Sequence, residues 1–126
     1  IVERKAPGAN GETATYNVKN KIAVCISGLG RNTSEIISSP EWSEIINAVS
    51  LNLNSIDYEI RSVIKAGRIF TEKSGLINEN LAEILDSIPL GAVSSVAHLG
   101  TSIIAVSDNI TELRHCLEKY GEVRIY

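Results

Sequence analysis

Long hydrophobic runs are absent from this 126-residue chain. No apolar stretch approaches the roughly 20 residues that a helical membrane span requires, which points away from a transmembrane helix. Clustered positive charge is absent too. The basic residues are scattered and the net charge is −3, so no electrostatic footprint for nucleic acid results. Cysteine is scarce: Cys25 lies in an apolar run and Cys116 in a helical pattern, without the spacing of a metal site or a redox motif. Two buried, reduced thiols and a cytoplasmic location are the reading this supports. Methionine is missing altogether, and the chain opens on Ile1-Val2-Glu3 without the basic, apolar and small regions of a signal peptide. That start reads as the inside of a strand, so we expect a piece of a longer protein. The stretch Glu122 to Tyr126 alternates charged and apolar residues and ends abruptly, which reads as a second clipped end.

What is present suffices for one domain spanning residues 1–126. Hydrophobic residues make up 44% and charged residues 21%, ordinary for a globular protein, and the length can bury a core without staples. Lys21 to Ser27 (KIAVCIS) is a β-branched apolar run of the kind that forms a buried strand. Ser39-Pro40-Glu41 is a helix start with a capping Ser, Pro at the first position and an acid in the first turn. Trp42, Ile45, Ile46, Val49 and Leu53 follow at helical spacing. A second helix is predicted from Ser55 to Thr71, with Ile56, Ile60, Val63, Ile64 and Ile69 as its inward stripe. Gly67 inside it marks a close packing contact. A third helix begins near Asn78, carries Leu81, Ile84 and Leu85, and ends before Pro89. Asn109-Ile110-Thr111-Glu112 resembles a capping box and opens a last helix, closed by Gly121.

Short strands and helices that close on strand–helix–strand predict an α+β fold. Its simplest form is a ferredoxin-like antiparallel sheet with helices mainly on one face and a helical insert. Lys21 to Ser27, Gly91 to Ala97, Ser102 to Val106 and Val123 to Tyr126 are its expected strands.

The segment Gly91 to Asp108 (GAVSSVAHLGTSIIAVSD) carries most of the functional signal. It reads as strand, tight turn, strand, with Gly100 where a turn needs positive φ or a close backbone approach. Ser94, Ser95, Thr101 and Ser102 surround that turn with small hydroxyls that leave room for a ligand. Strand alternation sends Ser94 and Ser95 to opposite faces, so at most one of them points to a cleft. The candidate substrate-binding residues are Gly100, Thr101, His98 and Ser95. His98 reads either as a hydrogen-bond partner for substrate or as a packed histidine satisfied by backbone. Gly28-Leu29-Gly30 with Arg31 reads either as a strand-ending turn or as an anion nest. Asn32 and Thr33 read as helix caps, and Arg61 and Lys65 as neighbours on a solvated helix face. No metal ligand and no catalytic base is assigned.

Taken in order, Lys5-Ala6-Pro7-Gly8-Ala9-Asn10-Gly11, then Ser27-Gly28-Leu29-Gly30 with Arg31 to Ile37, the helix entered through Ser39-Pro40, the helix after Gly75-Leu76, and Gly91 to Thr101 form a pattern. It resembles the C-terminal half of the archaeal pantoate kinases, members of the GHMP kinase superfamily, and departs from related chains at Val96 and His98, where they favour methionine. The resemblance implies the cleft-closing, substrate-side domain of an ATP-dependent small-molecule kinase of coenzyme A biosynthesis. It also implies a partner, an N-terminal nucleotide-binding domain whose Pro-x-x-x-Gly-Leu-Gly-Ser-Ser loop wraps the ATP phosphates. That loop is not in this chain, where Gly28-Leu29-Gly30 is followed by Arg31-Asn32. ATP and Mg2+ are therefore expected in the intact parent and not on this domain alone, and the isolated domain is expected to be inactive. Two other function classes stay open. One is a stand-alone ferredoxin-like regulatory domain that binds a small molecule, with a homodimer as its usual form. The other is a structural or interaction domain without a ligand. A small-molecule substrate, no nucleic acid and no membrane complete the expected partners.

Overall fold

In the computed structural model, which describes residues 2–4, 13–15, 17–28, 32–50, 59–97 and 102–126, the apolar runs become strands. Strands β1 (Val2–Arg4) and β2 (Thr13–Thr15) pair antiparallel as a small sheet of their own. The main sheet holds β3 (Ile22–Ile26), β4 (Val93–Val96), β5 (Ser102–Val106) and β6 (Glu122–Ile125), all antiparallel, in the order β4-β5-β3-β6. These are the four expected strands: β3 and β4 are one or two residues shorter at each end, β5 has the expected ends, and β6 begins and ends one residue earlier than expected. The chain is α+β, with the strand order of a ferredoxin-like fold, and the sheet register fixes which residues face which layer. Ala23 opposes Ala105 and Cys25 opposes Ile103, while Ile22 opposes Val106 one residue away on the other face.

Among the described residues, five helices lie between the strands: α1 (Thr33–Ile37), α2 (Pro40–Ser50), α3 (Ile60–Lys73) and α4 (Glu79–Asp86) before β4, and α5 (Ile110–Leu117) between β5 and β6. The crossover helices α4 and α5 share one face. Their Leu81, Ile84, Leu85, Leu113 and Leu117 pack with Ala23, Cys25, Val96, Ile103 and Ala105 of the sheet. Each fully enclosed Leu or Ile there contributes about 1.5–3 kcal/mol relative to exposure. The helical insert α1–α3 reaches the opposite face through α3, whose Ile60 and Ile64 pack on Ile22, Val93, Ile104 and Val106. A third cluster, Ile36, Phe70 and Leu76 with Trp42, Ile46 and Val49 against it, joins α1 and α2 to the far end of α3.

The caps follow the sequence closely. Ser39 Oγ accepts the N–H of Trp42 at 3.4 Å and Asn78 Oδ1 that of Leu81 at 2.9 Å. Asn32 Oδ1 accepts from Ser34 at 3.0 Å, opening the short α1 ahead of α2. At the start of α5, Asn109 Oδ1 accepts from Glu112 N–H at 3.1 Å. The Glu112 carboxylate takes the Asn109 side-chain amide at 3.3 Å, and the Asn109 backbone N–H goes to Ser107 Oγ at 3.1 Å. Half of a capping box is thus present, with a serine replacing the glutamate's return bond. Helix α3 closes two residues later than expected, with Leu76 N–H bonded to Thr71 O at 3.0 Å and Gly75 N–H to Glu72 O at 3.2 Å. Leu76 and Phe70 meet beneath that closure. The expected start of this helix, Ser55 to Tyr58, lies outside the described residues.

Two expectations change. Gly121 does not cap α5, whose C-cap is Glu118 in ordinary right-handed conformation. An added Cβ at Gly121 would stand 2.1 Å from the Ile26 carbonyl oxygen, so the residue is small because β6 enters the sheet against the backbone of β3. The thiols are not equally buried. Cys25 is enclosed, donates to Leu117 O at 3.5 Å, and burial pushes its pKa up. Cys116 is half-buried and donates to Ser87 O at 3.0 Å.

Candidate functional site

The described residues enclose a cleft of about 420 Å³ beside β4. One wall is α3, contributing Lys65, Arg68 and Ile69; the other is Leu85 with the segment from Ile88 to Ala92, and Val93 and Ser94 form its floor. It falls in the lower part of the size range of small-molecule sites.

Local sequence explains each wall. Lys65 and Arg68 follow Arg61 at helical spacing, so all three side chains project along one flank of α3. Pro89 to Ala92 make a four-residue turn closed by Ala92 N–H to Pro89 O at 3.2 Å. Gly91 holds φ at 86° in its third position, as a type II turn demands. The Arg61 guanidinium donates to Gly91 O at 2.8 Å and pairs with Asp108 at 3.2 Å. Arg61 is therefore no solvated bystander: it ties α3 to the turn before β4 and to the turn after β5. Leu90 stands fully exposed at the tip of the first turn.

The charge in the cleft is positive. Arg68 Nε donates to Glu72 at 2.5 Å and Arg68 Nη1 to Ser94 Oγ at 3.4 Å. Lys65 is exposed and makes no ion pair among the described residues. Two cations and a serine hydroxyl on one side, with an aliphatic wall on the other, suit an anionic group carried on an apolar body. Among the described residues, no group of three or more His, Cys, Asp or Glu could hold a metal ion.

Of the residues singled out from the sequence, His98, Gly100 and Thr101 lie outside the described residues, as does the stretch from Leu29 to Arg31. Ser95 is enclosed, with its hydroxyl donating to Val96 O at 3.1 Å. That hydroxyl also faces Gly67, where an added Cβ would stand 3.4 Å away, which is the close contact expected of Gly67. The alternation of β4 sends Ser94 to the cleft and Ser95 under α3. Lys65, Arg68 and Ser94 come together in the cleft although sequence reasoning left them apart. The signal at hand was the shared helix flank of Arg61 and Lys65.

No family model matches the chain, and no curated protein sequence is similar to it. Among solved structures, the chain is similar to one described as a phosphotransferase related to the CoA biosynthesis pathway. The TM-score is 0.60 and the identity 20%, with 98% of this chain and 43% of that one covered. The chain thus spans less than half of that structure's length, and at this identity the likeness shows the fold.

Proposed function

We propose that this chain is the cleft-closing, substrate-side half of a two-domain phosphotransferase of the GHMP type. Its phosphoryl acceptor is the alcohol group of pantoate, and its place is coenzyme A biosynthesis. The observation that carries the reading is the asymmetry of the structural match. Nearly the whole chain aligns with well under half of a phosphotransferase linked to that pathway, as expected of one half of a two-part enzyme. The order of short motifs from Lys5 to Thr101 supports the same reading. The nucleotide and Mg2+ belong to the other half in this proposal, where a glycine-rich loop meets the phosphates at a helix N-terminus. In this proposal the segment Leu99-Gly100-Thr101, preceded in sequence by His98, is this half's contribution to binding the acceptor. Phosphoryl transfer depends almost wholly on positioning and on stabilising charge. A domain that closes the cleft therefore shapes the reaction without supplying a nucleophile or a base.

The reading frame upstream of Ile1 tests the proposal. A loop of the pattern Pro-x-x-x-Gly-Leu-Gly-Ser-Ser, encoded in frame and followed by a helix, is the expected finding. A frame that carries no such loop overturns the two-domain reading and favours the stand-alone regulatory domain.

A further inference from the structure

We infer that the cleft between α3 and β4 is a binding site for a small organic anion, a carboxylate or phosphate group on an aliphatic body. The site is built from this chain alone and does not depend on the two-domain reading. The anionic end is set by Lys65, Arg68 and Ser94. Lys65 has no anionic partner among the described residues, in a chain whose net charge is −3. Arg68 keeps donors beyond the one given to Glu72 and is 28% exposed. Ser94 Oγ accepts from Arg68, so its own proton is available to an acceptor.

The backbone adds a second donor. Ala97 N–H bonds to Ser102 O at 2.9 Å, which places Ala97, Ser95 and Val93 in the bonded pairs of the β4–β5 ladder. Ser94 lies between them in the register, so its N–H and C=O point away from β5, at the free edge of the sheet. The apolar end is set by Leu85, Ile88 and Pro89, with Ile69 and Leu90 exposed at the rim.

An added peptide strand fits this edge poorly. β4 has only four residues, and of its two outward-facing positions Val96 already gives its carbonyl to Ser95 Oγ. One remaining N–H and C=O pair cannot sustain a ladder, but it can orient a single anion. The Arg61 clamp on Gly91 O holds the turn that forms the far wall, so the site stands preformed and needs no folding on binding.

The test is a titration of the 15N-labelled 126-residue chain with sodium hexanoate, with hexyl phosphate and with neutral hexanol, reading the amide signals of Ser94 and Ala92. Saturable shifts with either anion and none with hexanol are expected, and the stronger of the two anions identifies the preferred head group. Lys65→Gln, at an exposed position, is expected to weaken anion binding about tenfold or more. Lys65→Arg should bind within a few-fold of the original, since the positive charge is kept. Equal shifts with hexanol, no saturation with either anion, or unchanged binding in Lys65→Gln would each overturn the assignment. Retained amide dispersion in the variants separates loss of binding from loss of fold.

Discussion

Gly121→Ala is expected to destabilise the chain by about 3 kcal/mol, the upper range for forcing an extra group into packed structure. The cause is backbone against backbone. The new Cβ would meet the Ile26 carbonyl oxygen at 2.1 Å and its carbon at 2.8 Å, and no rotamer relieves such a contact. β6 would have to move away from β3, to which it is bonded through Ala23, Val24, Cys25 and Ile26. A urea midpoint that falls steeply while the slope stays constant is the expected signature. Gly91→Ala is the informative contrast. Its φ of 86° strains an alanine, but a Cβ there meets nothing within 4 Å, so a loss of about 1–2 kcal/mol is expected. Equal stability of Gly121→Ala and the parent chain would show that the approach of β6 to β3 is looser than described.

Under the proposed two-domain function, Gly100→Val in the full gene product is expected to cut turnover on the order of a hundredfold, the cost of misplacing a reacting group by about an ångström. The proposal gives Gly100 a close approach to substrate or phosphate, and a branched side chain would block it. Melting temperature should fall only modestly. If the glycine serves merely to turn the chain with positive φ, the same substitution lowers stability by about 1–2 kcal/mol through left-handed strain. Activity then falls no further than unfolding explains. Both quantities measured on one sample separate the outcomes, and matched losses would leave Gly100 with a structural role only.

The strands were legible because their patterns are local. Ser102 to Val106 is an apolar run with clear limits, and it forms β5 with those same ends. The starts of α2, α4 and α5 were legible for the same reason, since a capping Ser or Asn acts on residues two or three positions away. Gly121 shows where this ends. A glycine after a helix looks like a cap, whereas the helix closes at Glu118 and the glycine answers to Ile26, a residue far away in sequence. Arg61 shows it again: helical spacing reveals its neighbours on α3, but not the Gly91 carbonyl or Asp108 that the tertiary fold brings to it. The cleft was illegible as a whole. It is the gap between α3, the turn before β4 and the strand edge, and it exists only once the insert has packed on its own face of the sheet.

The proposed function makes this chain half of a catalyst. Release of ADP from ATP in the presence of Mg2+ and pantoate, measured in parallel for the isolated chain and for the full product of its gene, tests that most directly. The expected result is pantoate-dependent turnover by the full product and none above blank for the isolated chain, because half of a phosphoryl-transfer site positions neither reactant. Steady turnover by the 126 residues alone, or a full product that leaves ATP intact with pantoate present, would contradict it.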